Sequence, residues 1–110
     1  MMTSTYPPNQ PKKMFEFQVQ NIVDYNKIET EGWQLEQGEN TIEGNTVIIR
    51  GMPNIENDVF AKERVINRLK ITLSGKKVGL QSGEVLDNGE ILCDVFIQGI
   101  NVSNYFSDFK

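Results

Sequence analysis

VINRLKITLSGKKVGLQSGEVLDNGEILCDVFIQ, residues 65–98, is the stretch whose reading decides the fold. It reads as three antiparallel strands joined by two turns. The second turn is Asp87-Asn88-Gly89, flanked by Val85-Leu86 and Ile91-Leu92. Asn-Gly tolerates the positive φ that a tight hairpin turn demands. The first turn is Ser74-Gly75-Lys76-Lys77, with Gly75 at the position that takes positive φ.

Turn length sets register, and a one-residue slip sends every side chain to the opposite face. Tight loops at Gly75-Lys76 and at Asn88-Gly89 agree on one apolar face: Val65, Leu69, Ile71, Leu73, Val78, Leu80, Leu86, Ile91, Cys93, Val95 and Ile97. Glu84 is the misfit, opposite Cys93. A bulge at Gly83, or a longer Asp87-Asn88-Gly89 loop, repairs it. The other face carries Arg68, Lys70, Gln81, Phe96 and Gln98. Lys70, Gln81 and Phe96 form one cross-strand row, and Gly79 and Gly83 let another backbone come close. These residues are the candidate partner-binding set.

Upstream, Met14 to Gln20 alternates as a half-buried strand, with Phe15, Phe17 and Val19 on one side. Ile22 changes the phase and signals a bulge. Trp33-Gln34-Leu35-Glu36 is a short strand that turns at Gln37 to Asn40. A second short hairpin is expected at Glu43-Gly44-Asn45. Thr46 to Gly51 follows, apolar on both sides and therefore central. Asn57 or Asp58 caps a helix from Val59 to about Asn67, which hands over to strand near Val65. Downstream, Ile100-Asn101-Val102 is a further short strand, and Tyr105, Phe106 and Phe109 pack the C-terminus onto the body.

The 110 residues suit one domain with a real core. Residues 1–13, with Tyr6-Pro7-Pro8-Asn9-Gln10-Pro11, read as a flexible tail, and residues 14–110 as a single β-rich domain. The expected fold is mainly β with one short helix, a small antiparallel barrel or sandwich of five to seven strands. Strand, strand, strand, helix, strand, strand is also the element order of an oligonucleotide-binding barrel.

No run approaches the ~18 apolar residues of a membrane span. The N-terminus lacks the apolar centre of a secretory signal, so a cytoplasmic protein is expected. A single cysteine, Cys93, excludes an intramolecular disulfide, and histidine is absent. The commonest general base and metal ligand is therefore missing. A zinc site would need Cys93 plus carboxylates, a poor set. No enzyme, metal or cofactor is expected.

Charge is unevenly spread. Glu29, Glu31, Glu36, Glu39, Glu43, Glu56 and Asp58 stand against Arg50, and Lys62, Arg64, Arg68, Lys70, Lys76 and Lys77 against Glu63. The simplest expectation is that the two segments neutralise each other in the fold. Two functional readings follow. One is a non-catalytic binding or assembly module that docks a protein partner or its own copies through a sheet face. The other is a single-stranded nucleic-acid binder that uses Arg64, Arg68, Lys70, Lys76 and Lys77 on phosphates, with an aromatic such as Phe96, Trp33 or Tyr25 on bases. The net charge of −4 opposes the second.

Overall fold

A computed structural model of the chain describes residues 16–109. The expected tail and the first residues of the strand expected at Met14 lie outside the described residues. Three strands form a meander, β1 (Phe17–Asp24), β2 (Lys27–Gln37) and β3 (Asn40–Ile49). Helix α1 (Val59–Leu73) follows, then the hairpin β4 (Lys77–Val85) and β5 (Ile91–Ile97). A short β6 (Ile100–Asn101) and a 3₁₀ segment, Val102–Phe109, end the chain.

The sheet order is β3-β2-β1-β4-β5-β6, and β3 also pairs with β5. That last ladder is parallel, Val47↔Ile91 to Ile49↔Cys93, and it closes five strands into a barrel. The barrel is therefore mixed, not antiparallel throughout. The crossover through α1 reverses the direction in which the second sheet segment is laid down, so β5 runs alongside β3. The topology, with its helix between the third and fourth strands, is that of the oligonucleotide-binding barrel.

Residues 65–73 are helix, which corrects the three-stranded reading. The Asp58 carboxylate caps α1 by accepting from the Ala61 amide at 3.0 Å. Ala61, Val65, Leu69 and Leu73 recur every fourth residue and are buried. Spacings of four satisfy a period of two equally well, so these residues alone do not separate helix from strand. Ile71 does: a strand would bury it, and it stands 79 % exposed on the outer side of α1. Ser74-Gly75 is consequently a helix end. The Ser74 amide donates to the Lys70 carbonyl, and Gly75 at φ 73 turns the chain into β4.

The β4–β5 hairpin forms where expected, with both repairs of the Glu84 misfit present. The Gly89 amide donates to the Leu86 carbonyl at 2.9 Å and the Leu86 amide to the Glu90 carbonyl at 2.8 Å. The loop is thus Asp87-Asn88-Gly89, with Gly89 at φ 87. Glu84↔Leu92 and Gln81↔Asp94 are separated by a bulge at Ser82-Gly83, where Ser82 sits at φ 58.

The β2–β3 hairpin turns at Gly38 and Glu39, and β3 runs straight through Glu43-Gly44-Asn45, so the second short hairpin does not form. Gly44 is a seat. A Cβ there would lie 2.6 Å from Cζ2 of Trp33, its cross-strand partner. Trp33 is 2 % exposed, and its indole N–H donates to the Thr46 carbonyl. The phase change at Ile22 corresponds to register shifts on both sides of it in β1. At the C-terminus, Phe106 is fully buried and Phe109 half-buried, whereas Tyr105 is exposed.

Candidate docking site

Among the described residues β1 pairs with β4 at Phe17↔Val78 and Gln18↔Lys77. Its first pair with β2 is Val19↔Thr30. Glu16 is exposed. β2 continues to Gln37 and β4 to Val85.

Between Trp33–Leu35 of β2 and Leu80–Gly83 of β4 lies a cavity of ≈ 170 Å³. Its apolar lining is Phe17, Trp33, Leu35, Leu80, Ile91 and Cys93. Gln34, Gln81 and Ser82 border it and are exposed. The Cys93 side chain is fully buried, and burial pushes its thiol up to about 12. It is a wall of the cavity and not a nucleophile. A wider depression of ≈ 430 Å³ lies at the β2 bulge, between Gln20, Glu31, Gly32, Gly44 and Asn45. One Glu31 carboxylate oxygen there already accepts from the Gln18 amide.

Arg50, just past the end of β3, holds the bulge that borders the cavity. Its guanidinium donates to the Ser82 carbonyl at 2.9 Å and to Asp94 at 3.3 Å, with longer contacts to Glu84 and the Leu92 carbonyl. A planar fork of donors suits such a divided set of acceptors.

The cross-strand row of Lys70, Gln81 and Phe96 does not exist, because Arg68 and Lys70 belong to α1. Gln81 pairs with Asp94, and Phe96 with Gly79 and Asn101, so these two remain on the outer face of β4–β5. Gln98 is exposed at φ 52 in the turn to β6. Arg68 clasps the C-terminal segment instead. It makes a bidentate pair with Asp108 at 2.9 and 3.1 Å, donates to the Tyr105 carbonyl, and stacks 5.4 Å from Phe106 and 5.1 Å from Phe109. Hydrogen bonding to Arg68 holds the Asp108 carboxyl below its ordinary range.

The acidic and basic segments do not neutralise each other as expected. Among the described residues only Lys62 of the basic segment makes an ion pair with the acidic stretch, through Glu56 at 3.6 Å. Arg64 lies over the Phe109 ring, and Arg64, Lys70, Lys76 and Lys77 form no ion pair among the described residues. The β2–β3 arm keeps its five glutamates without an intervening Lys or Arg.

Sequence reasoning placed Leu80 on the apolar face but passed over the cavity and the roles of Arg50 and Ser82. Arg50 carried a signal, as the lone base of the acidic stretch. Among the described residues no cluster of histidine, cysteine and carboxylates could hold a metal, and no helix is long and apolar enough to cross a membrane.

The fold is a small closed mixed β-barrel of five strands in oligonucleotide-binding order, with a short sixth strand. No protein-family model, curated protein or solved structure matches the chain.

Proposed function

We propose that the chain is a non-catalytic, cytoplasmic docking module that takes a protein partner or a second copy of itself through its β-sheet. The observation that carries this reading is the apolar cavity of ≈ 170 Å³ between β2 and β4. A side-chain-sized apolar pocket can seat an anchor residue of a partner. The buried, high-pKa Cys93 and the lack of histidine favour binding over catalysis. A lone, unpaired thiol suits a reducing compartment.

Sedimentation of the purified full chain over a wide concentration range, alongside capture from nuclease-treated lysate, tests the reading. A concentration-dependent oligomer, or a defined protein retained stoichiometrically, is expected. A strict monomer that retains nothing would end it.

Nucleic-acid binding is the second reading, favoured by Arg64 and Lys70 on α1, Lys76 in the connection and Lys77 at the start of β4, which form no ion pair among the described residues. The β2–β3 surface that such barrels use is lined here by glutamates, which repel phosphate. A labelled oligothymidine at low salt discriminates: binding lost on Lys76→Glu/Lys77→Glu supports this alternative, and no binding removes it.

A further inference from the structure

We infer that Asn88 is a modification site: its side-chain amide is lost to attack by the backbone nitrogen of Gly89, and the isoaspartyl linkage that results loosens the seam at which the barrel closes. The chemistry needs only solvent water, and it is independent of the docking reading.

The site follows from the sequence and the turn. Of the chain's asparagines, only Asn88 is followed by glycine. Gly89 has no Cβ to shield its nitrogen from the preceding side chain. Asp87, Asn88 and Gly89 are all exposed at the tip of the β4–β5 hairpin. The Glu90 amide donates to Oδ1 of Asn88 at 3.1 Å. That bond folds the side chain back along its own backbone, toward the Gly89 nitrogen. It also sets an N–H donor on the oxygen that gathers negative charge when Cγ is attacked. The Gly89 N–H donates to the Leu86 carbonyl at 2.9 Å. An N–H lies in its peptide plane, whereas attack uses the face of that plane, so this bond leaves the route open.

Solvent base takes the Gly89 amide proton. The nitrogen bonds to Cγ of Asn88, the Cγ–Nδ2 bond breaks, and ammonia leaves with a proton from water. A cyclic imide then spans the two residues. Water adds to either of its carbonyls and reopens the ring. Opening at Cγ leaves aspartate. Opening at the main-chain carbonyl routes the chain through Cβ and Cγ and leaves isoaspartate, with an extra backbone atom and a new negative charge.

The consequence follows from where the turn sits. The Leu86 amide closes the loop on the Glu90 carbonyl at 2.8 Å. Glu90 pairs with Lys27 of β2 at 3.0 Å. The next residue, Ile91, opens the parallel ladder Val47↔Ile91, Ile48↔Leu92, Ile49↔Cys93 that joins β3 to β5. Loop length sets strand register, so a loop with an added backbone atom cannot keep both the Leu86–Glu90 closure and this ladder. The ladder is short, and a disturbance at Ile91 reaches all of it.

The experiment incubates the full native chain at mildly alkaline pH. It reads the mass of the fragment bearing Asn88, isoaspartate-specific methyl transfer, and amide exchange. Conversion at Asn88 ahead of every other asparagine is expected, faster as pH rises and absent in Asn88→Gln. In the converted fraction the amides of Leu86 and of Ile91 to Cys93 should exchange about fivefold faster, the worth of about one net hydrogen bond. Asn88→Asp carries the charge without the extra atom and should exchange like the parent chain.

A native chain that stays intact while acetyl-Leu-Asp-Asn-Gly-Glu amide converts under the same conditions would overturn the site. Parent-like exchange in the converted fraction, or equal loosening in Asn88→Asp, would overturn the role of the inserted atom.

Discussion

The guanidinium of Arg50 donates to the carbonyl of Ser82 across 2.9 Å, joining the end of β3 to the bulge of β4. Ser82 is held at φ 58, where a non-glycine residue costs about 1–2 kcal/mol. The same guanidinium reaches Asp94 and the Leu92 carbonyl, so one side chain fastens β4 and β5 beside the cavity. Arg50→Met should lower unfolding free energy in urea by about 2 kcal/mol, because charged hydrogen bonds are lost to partly buried acceptors. Arg50→Lys should recover less than half, having no planar fork. Full recovery by lysine would mean that charge alone matters here.

Two glycines make close approaches with unequal consequences. A Cβ at Gly44 meets the rigid Trp33 ring at 2.6 Å, whereas one at Gly83 meets the flexible end of Ile91 at 2.5 Å. Gly44→Ala is expected to cost about 2 kcal/mol by forced repacking, and Gly83→Ala less than about 1 kcal/mol. Chemical denaturation gives both values, and a shifted tryptophan emission should accompany the first alone. Equal costs would contradict the seat assigned to Gly44.

The helical assignment of residues 65–73 separates two neighbouring residues. Leu69 is fully buried and Ile71 is 79 % exposed. Leu69→Ala should cost about 3 kcal/mol. Ile71→Ala should stay within about 0.5 kcal/mol of the parent protein. A large loss at Ile71 would restore the strand.

The Arg68–Asp108 pair titrates in a known direction. Hydrogen bonding to Arg68 lowers the Asp108 pKa from 3.8. A lowered carboxyl pKa contributes stability above the unfolded value and loses it as pH falls through the folded value. The window therefore lies in acid, below pH 3.8. Both groups are exposed, so the effect on stability is small and salt-dependent. Carboxyl NMR should place Asp108 below 3.8, and Arg68→Met should return it toward that value. An unchanged titration in the variant would remove the pair as the cause.

What local chemistry specifies was readable from the residues alone. Asp87-Asn88-Gly89 makes its turn because Gly89 accepts positive φ, and Asp58 caps α1 because its carboxylate reaches the Ala61 amide. The order of strands and helix, the inward alternation of Ile91, Cys93, Val95 and Ile97, and the central place of Val47 to Ile49 follow from period and polarity. Val65, Leu69 and Leu73 could not choose between helix and strand, since their spacing fits both periods. Only burial of one four-residue stripe against the barrel decided it, and that decision moved Arg68 and Lys70 away from Gln81 and Phe96. The cavity and the clamp from Arg50 belong to the tertiary structure alone. Each joins residues more than thirty positions apart. Pairing between distant strands is set by the closure of the barrel as a whole, and no short stretch of sequence encodes it.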